Sequence, residues 1–186
     1  MSLSDKAINK IYSIATGIRW KRVTLAPIIG SIFFTITCMF VIVPIWLDRF
    51  FAIPQLWAKP LNYFLSFPFL ILGIILSLWS LHYFFISKAT PVPVHPPQKL
   101  ITSGPYAYTR NPMHTGLVLL MFAAGFYYSS WLSVFVFTPL YIIIDMWIIK
   151  RIEEPELEKR LGKDYIEYKE RTPMIFPWKK KKAITL

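Results

Sequence analysis

Residues 103–116, SGPYAYTRNPMHTG, place an arginine and a histidine directly before a long apolar run. Asn111 and Pro112 predict the start of a helix, because asparagine can cap free amides and proline at the next position loses no intrahelical hydrogen bond. The amides of such a helix start, together with the Arg110 guanidinium, can bind a carboxylate or a phosphate. The same residues are typical of an ordinary capped helix that enters a bilayer beside an interfacial arginine. Taken alone, the segment favours the ordinary helix.

A pair of carboxylates, Glu153 and Glu154, follows the basic pair Lys150 and Arg151 at helical spacing. Pro155 disfavours helical geometry at the residue before it, which predicts that the last apolar helix ends or kinks there. Carboxylates at such a break can bind ribose hydroxyls or a cation. They can also simply neutralise their basic neighbours as solvated ion pairs, which is the commoner case.

The composition indicates a membrane protein. Of 186 residues, 55% are hydrophobic and the mean hydropathy is +0.45, whereas soluble domains are about 45–50% apolar. Four stretches are predicted to cross the membrane, at residues 25–47, 61–87, 112–128 and 131–149. The first reaches about 35 Å as a helix, which exceeds a hydrocarbon core of about 30 Å. We therefore predict an all-α fold, an integral membrane bundle of about four transmembrane helices whose last two form a hairpin.

The charges predict how the chain is organised around the membrane. Residues 1–24 show apolar side chains at helical spacing among lysines, which predicts a basic amphipathic helix at the membrane surface. Residues 25–186 are predicted to form one membrane domain, with segments 88–111 and 150–178 in the cytoplasm and a helical C-terminal part. Nineteen of the 21 Lys and Arg residues then lie on one side of the membrane, and both termini are cytoplasmic. This topology accounts for the charge without a nucleic-acid partner.

Three other features leave alternatives open. The proline-rich residues 88–100 should be extended and stiff, so they can either cover a pocket or only space two helices apart. Asp145 lies inside the fourth predicted span, where a carboxylate is a functional candidate or a structural partner of His82 or of a basic residue. Ser77 and Ser80 give the second span a polar side, which is typical of packing against another helix.

The order of these motifs is similar to a known family. The series TPVPVHPPQKLITSGPYAYTRNPMHTG, followed by EEPELEKRLGKDYIEYKERTPMIFP, resembles the membrane-embedded methyltransferases of the isoprenylcysteine carboxyl methyltransferase and phospholipid methyltransferase superfamily. The resemblance covers residues 61–178 and implies S-adenosylmethionine as cofactor, bound on the cytoplasmic side. Its Arg-Asn-Pro form is that of bacterial-type members, which implies a prokaryotic inner membrane. The positions implied to contact the cofactor are Gln98, Lys99, Leu100, Ile101, Tyr106, Asn111, Pro112, Met113, His114 and Glu153.

The resemblance and the side-chain chemistry together suggest roles. The candidate catalytic residues are Arg110, Arg151, Glu153 and Glu154, and the candidate substrate-binding residues are Lys150, Arg151 and Arg171. Arg110 and the helix start would hold the cofactor's carboxylate, Glu153 its ribose, and the ring of Tyr106 its sulfonium. His114 stands where the family usually has tyrosine. Methyl transfer from a sulfonium calls for alignment and exclusion of water, and the sequence predicts no metal site.

The methyl acceptor is predicted from the charges and from the family resemblance. A carboxylate acceptor needs a cation to orient it, whereas an amine needs a base such as Glu154 or His114. The surplus of cations favours a carboxylate or thiol-derived acceptor that is lipid-like or lipid-tailed, and the resemblance implies the isoprenylcysteine carboxyl type. The alternatives are phosphatidylethanolamine-type N-methylation and a non-catalytic lipid-binding or scaffold protein with the same fold. The tail at residues 177–186, PWKKKKAITL, is predicted to bind anionic membrane lipids, at about 1 kcal/mol per lysine.

Overall fold

The computed structural model describes residues 3–175, which form helices and turns without a β-strand. The helices are α1 (Leu3–Ala15), α2 (Arg19–Phe50), α3 (Leu61–Ile86), α4 (Pro112–Tyr127), α5 (Thr138–Ile148), α6 (Glu154–Leu161) and α7 (Lys163–Arg171). A 3₁₀ turn spans Gly104–Ala107, and π turns at Ser133–Phe137 and Ile149–Glu153 flank α5. The predicted all-α class is therefore confirmed. The predicted lysine-rich anchor at residues 177–186 lies outside the described residues.

Three helical stretches are long and apolar enough to cross a membrane: Arg19–Phe50, Leu61–Ile86 and Ser133–Leu161. The apolar helix α4 has 16 residues, so it is about 24 Å long and falls short of a hydrocarbon core of about 30 Å. The membrane bundle thus consists of three full-length helices and one short helix. α4 pairs with the stretch that follows it as the predicted hairpin.

Two predicted helix ends differ from the structure. The first span begins at Arg19 rather than at residue 25, so it takes up basic residues that were assigned to the N-terminal segment. The last span does not end at residue 149 but continues through the π turn Ile149–Glu153 into α6. Pro155 is accommodated because the helix changes its hydrogen-bond register just before it, at the point where proline has no N–H to donate.

Small residues allow α3 and α4 to pack closely. A Cβ added at Gly116 would clash with the hydroxyl of Ser77 and lie 3.1 Å from the Gly73 carbonyl oxygen. A Cβ at Gly73 would lie 2.9 Å from the side chain of Leu120. In a bilayer, burying apolar side chains gives little free energy because lipid tails are equally apolar. Helices there associate through close backbone packing of this kind. The predicted polar side of the second span is therefore a helix-packing face.

The far end of the bundle is fixed by hydrogen bonds between loops and helix ends. The Asn62 amide donates to the Tyr127 carbonyl at 2.7 Å, and the Ser129 hydroxyl donates to the Trp57 carbonyl at 2.7 Å. Within the bundle, Ser66 donates to the Ala123 carbonyl at 2.8 Å. These bonds set the register between α3 and the α4–α5 hairpin, and so determine which residues meet at the opposite end.

The N-terminal helix α1 packs on that opposite end, against α6 and the π turn Ile149–Glu153. Lys159 donates to the Asn9 side chain at 2.7 Å and lies 4.4 Å from the centroid of the Tyr12 ring. Ala15 is buried at the end of the helix. One face of the predicted amphipathic helix is thus covered by the protein's own C-terminal segment.

Gly116→Leu should destabilise the fold, because a side chain at this crossing forces α3 and α4 apart. Overpacking typically costs about 1–3 kcal/mol. Thermal unfolding in detergent should show a lowered midpoint for Gly116→Leu and an unchanged midpoint for Thr35→Leu, which introduces leucine at an exposed position of α2. Equal midpoints for Gly116→Leu and the wild type would contradict the close crossing.

Candidate active site

A cavity of about 150 Å³ lies at the end of the bundle where α3 ends and α4 begins. Its walls come from the proline-rich segment, the 3₁₀ turn, the first turn of α4, the second π turn, α6 and α7. Nine of the predicted site residues line it: Lys99, Leu100, Ile101, Tyr106, Arg110, Asn111, Met113, His114 and Glu153. The two predicted segments, which are far apart in sequence, therefore form one site.

Six predicted site residues do not line the cavity. These are Gln98, Pro112, Lys150, Arg151, Glu154 and Arg171. Gln98 and the three basic residues are exposed, while Pro112 is buried in the first turn of α4. The three predicted substrate cations therefore do not form part of the cavity wall.

Glu154 is buried behind the cavity wall and forms two ion pairs. Its Oε1 accepts from Arg110 Nη2 at 2.7 Å, and its Oε2 lies 2.7 Å from Lys169 Nζ. The side chains of Arg110 and Glu154 are only 10% and 2% exposed, so the pairing compensates charges that would otherwise be costly to bury. The cluster joins α6, α7 and the loop before α4.

The same cluster sets the charge of Lys169, on α7. Partial burial lowers the pKa of this ammonium, but hydrogen bonds to Glu154 and Glu158 outweigh that effect and leave the pKa above its usual value. Arg110 also donates from Nη1 to the Lys169 carbonyl at 2.6 Å. Lys169 is therefore charged at physiological pH and remains a partner of Glu154.

Asn111 does not cap α4 with its side chain, contrary to the prediction. Its amide instead donates to the Met174 carbonyl at 3.0 Å, and the Thr109 hydroxyl donates to the same carbonyl at 3.0 Å. The Arg110 N–H donates to the Pro173 carbonyl at 2.9 Å. The Asn111 side chain is thus hydrogen-bonded to the chain after α7 and holds that segment against the start of α4.

Buried tyrosines form one wall of the cavity. The Tyr168 hydroxyl donates to the Tyr106 carbonyl at 2.7 Å, and the ring of Phe84 meets that of Tyr106 edge-on at 6.0 Å. Burial raises the pKa of Tyr106 and of Tyr168 above the usual tyrosine value, so both hydroxyls are protonated at physiological pH. The wall therefore offers ring faces and neutral hydroxyls.

Tyr165 and Tyr168 were not among the predicted site residues. They lie three residues apart on α7 after Gly162, so they share one helix face. Both are buried and line the cavity. The spacing of the two tyrosines is present in the sequence and could have predicted a buried aromatic face on this helix.

Gly104 positions Tyr106 at the start of the 3₁₀ turn. Its φ is +62°, in the left-handed region that favours glycine. A Cβ at this position would clash with the ring of Tyr83. The Gly-Pro-Tyr turn therefore needs its glycine for both backbone conformation and space.

The proline-rich segment covers the cavity. Pro91, Pro93, Pro96 and Pro97 all line it. The segment is tied to α6 by Arg160, which pairs with Glu156 at 2.9 Å and donates to the Pro97 carbonyl at 3.0 Å. Of the two interpretations that composition left open, the structure supports the covering role.

His114 pairs with Asp145 across the α4–α5 hairpin. Its Nδ1 lies 2.8 and 3.0 Å from the two carboxylate oxygens of Asp145, which is 6% exposed. The predicted alternative partner, His82, is exposed on α3. The partner of Asp145 is therefore His114 rather than His82. The register between α4 and α5 brings these two side chains together.

The comparisons with known proteins identify the family. A family model for phospholipid methyltransferase matches residues 61–164. The chain belongs to this family. The matched range runs from α3 to the start of α7 and contains most of the cavity, while α1 and α2 precede it. No match was found among curated proteins or among solved structures.

The cavity residues fit the methyl donor that such enzymes generally use, S-adenosylmethionine. Arg110 Nε is buried without a hydrogen-bond partner among the described residues, which leaves a donor for a carboxylate. The rings of Tyr106 and Tyr168 suit a sulfonium cation. Glu153 supplies an acceptor for ribose hydroxyls. The donor and acceptor groups thus match the three polar parts of this cofactor.

Glu154→Ala should destabilise the protein by about 3–5 kcal/mol, because it leaves buried Arg110 without its partner. The comparison variant is Glu158→Ala, which removes a carboxylate that is 38% exposed and also pairs with Lys169. Exposed pairs contribute about 0–1 kcal/mol. Unfolding in detergent should separate the two variants clearly, and similar midpoints would mean that the buried cluster does not hold the segments together.

Proposed function

We propose that this chain is an S-adenosylmethionine-dependent methyltransferase whose acceptor is a membrane lipid with an amine headgroup. One observation carries the proposal: segments matched by the phospholipid methyltransferase family build a cavity of rings and carboxylates at the end of apolar helices. A site at a membrane boundary can receive a polar cofactor from water and a lipid from the bilayer.

The described residues support distinct roles in cofactor binding. The free Nε of Arg110 would hold the carboxylate of the cofactor, and Glu153 would hold its ribose. Tyr106 would place its ring against the positive sulfur. When bound, S-adenosylmethionine would supply an electrophilic methyl group. The proline-rich segment would exclude water from the methyl group while the site is closed.

The charges around the cavity favour an amine over a carboxylate acceptor. Arg110 and Arg160, which line the cavity, are already paired with Glu154 and Glu156, and Lys99 is exposed. An anionic acceptor would therefore meet no unpaired buried cation among the described lining residues. An ammonium headgroup suits Glu153, the lining carboxylate that has no ion pair among the described residues. The sequence favoured a carboxyl O-methyltransferase because of its many cations. In the structure, these cations near the cavity either form ion pairs or lie on the exposed surface.

An apolar groove of about 520 Å³ supports a lipid-tailed acceptor. It lies between α2 and the proline-rich segment, and Thr90 and Val92 line both this groove and the cavity. Its other walls include Ala26, Gly30 and Phe34 of α2. A hydrocarbon tail in this groove would leave its headgroup beside the cavity.

The proposed orientation places the cavity in the cytoplasm, where S-adenosylmethionine is made and used. The basic residues of α1, the start of α2 and α6–α7 lie at the cavity end of the bundle, and cationic flanks favour the cytoplasmic side. Both termini would then be cytoplasmic. A prokaryotic inner membrane remains the predicted location.

Detergent-purified protein should bind S-adenosylmethionine saturably in calorimetry. Arg110→Lys removes the free Nε donor and Glu153→Gln removes a charge, so each should weaken binding by about 10-fold or more, the value of a charged hydrogen bond. Glu170→Gln, at an exposed position of α7, should bind like the wild type. A folded protein that binds no cofactor, in detergent and in lipid nanodiscs, would instead support the non-catalytic scaffold.

Methyl transfer should follow the amine content of the membrane. With methyl-labelled cofactor, nanodiscs that contain phosphatidylethanolamine should yield labelled lipid, while nanodiscs of phosphatidylglycerol alone should not. The label should resist mild alkali, because an N-methyl bond is stable where a methyl ester releases methanol. Prenylated cysteine is offered in a parallel reaction, and alkali-labile label on it without labelled phosphatidylethanolamine would contradict the amine acceptor and support the carboxyl O-methyltransferase.

A further inference from the structure

His114 lines the cavity but has no part in the cofactor-binding roles proposed above. It lies in the first turn of α4 and lines the cavity together with Glu153. Its Nδ1 is occupied by the Asp145 carboxylate at 2.8 and 3.0 Å. The other ring nitrogen, Nε2, is the nitrogen left for a group in the cavity.

The Asp145 contact selects the form of the imidazole ring. An ionised carboxylate can only accept a hydrogen bond, so a neutral His114 donates its Nδ1–H and keeps the lone pair on Nε2. A carboxylate in this position also stabilises the imidazolium that forms when Nε2 takes up a proton. The pair therefore has the arrangement of a general base with a positioning carboxylate.

The location of the pair favours a chemical role over a simple tie between helices. Asp145 is 6% exposed and lies in a stretch long and apolar enough to cross a membrane, where an ionisable residue is costly. α4 and α5 already pack through the apolar residues Val118, Met121 and Tyr141. The polar pair beside the cavity is therefore not the sole contact between these two helices.

We propose that His114 is the general base that removes a proton from the acceptor amine, and that Asp145 positions it. This inference rests on the proposed function. Of the two bases suggested by the sequence, Glu154 has both carboxylate oxygens in ion pairs and does not line the cavity. His114 lines the cavity and has a free ring nitrogen.

The proposed step balances as a proton transfer followed by a methyl transfer. The ammonium headgroup gives one proton to His114 Nε2 and becomes a neutral amine. The amine lone pair then forms a bond to the methyl carbon of S-adenosylmethionine, and the carbon–sulfur bond breaks with its electrons going to sulfur. The products are a methylated ammonium lipid, S-adenosylhomocysteine and a proton, which leaves His114 for water.

Charged groups surround His114 on several sides and will affect its titration. Asp145 faces it from α5, and Glu153 lies nearby on the π turn. Across the cavity stand the Glu156–Arg160 pair of α6 and Lys99 of the proline-rich segment. The cavity also contains Arg110, which is paired with Glu154, while α2 contributes the uncharged ring of Phe33 at 6.0 Å.

The decisive test compares wild type and His114→Gln in nanodiscs of phosphatidylethanolamine over a range of pH. Glutamine can still donate to Asp145, so the tie between α4 and α5 is kept, but it has no basic nitrogen. At neutral pH the variant should methylate about 100-fold more slowly, the usual contribution of a general base. The wild-type rate should fall as acid protonates Nε2.

The deficit should shrink at high pH. Alkylammonium groups titrate near a pKa of about 10, so the lipid amine increasingly arrives already neutral and needs no base. A purely structural loss would be the same at every pH. His82→Asn, at an exposed position of α3, is the matched histidine control and should follow the wild-type profile.

Nitrogen NMR of ¹⁵N-histidine protein without cofactor gives a readout independent of activity. His114 should show the Nδ1–H tautomer in the wild type and lose it in Asp145→Asn. The chain has three histidines, and His82→Asn assigns one of the signals. A wild-type Nε2–H tautomer would overturn the proposed orientation of the base.

The outcomes separate this inference from the proposed function. If His114→Gln methylates phosphatidylethanolamine at the wild-type rate and pH profile, the base assignment is wrong while the enzyme assignment stands. A deficit that stays constant over pH also overturns it. If the wild type binds cofactor but methylates only carboxylates, the amine acceptor and the base are both wrong.

Discussion

The carboxylate of Glu154 determines how three segments come together at the cavity end of the bundle. It is buried, and its two oxygens pair with Arg110 from the loop before α4 and with Lys169 from α7. An uncompensated charge at this position would cost several kcal/mol, so the segments are stable only in the arrangement that pairs all three groups. That arrangement brings Tyr168 against Tyr106 and closes one wall of the cavity.

The apolar helices determine where this wall lies. Gly73 and Gly116 let α3 and α4 approach closely, and the short α4 begins at the cavity. Its first turn carries His114, which the hairpin brings to Asp145. A groove along α2 adjoins the cavity through the proline-rich segment. The cavity and the apolar groove therefore adjoin at one point of the bundle.

The net charge of the chain does not describe the charge at the cavity. The chain has a net charge of +11, yet the basic residues in or near the cavity are largely engaged by Glu154, Glu156 and backbone carbonyls. Lys150, Arg151 and Arg171 lie on the exposed surface. Among the ionisable residues that line the cavity, Lys99 is exposed and Glu153 is the carboxylate without an ion pair in the described part of the chain.

The sequence by itself determined the all-α membrane fold and the hairpin, because runs of apolar residues and the charges that flank them follow from solvation by lipid and water. It also predicted nine of the cavity residues, through local motifs and a family resemblance. Only the tertiary structure decided that Asn111 binds the Met174 carbonyl, that Tyr168 binds the Tyr106 carbonyl, and that Asp145 pairs with His114. These contacts join residues about 30 to 65 positions apart, and their geometry depends on helix register and packing, which no local pattern of residues encodes.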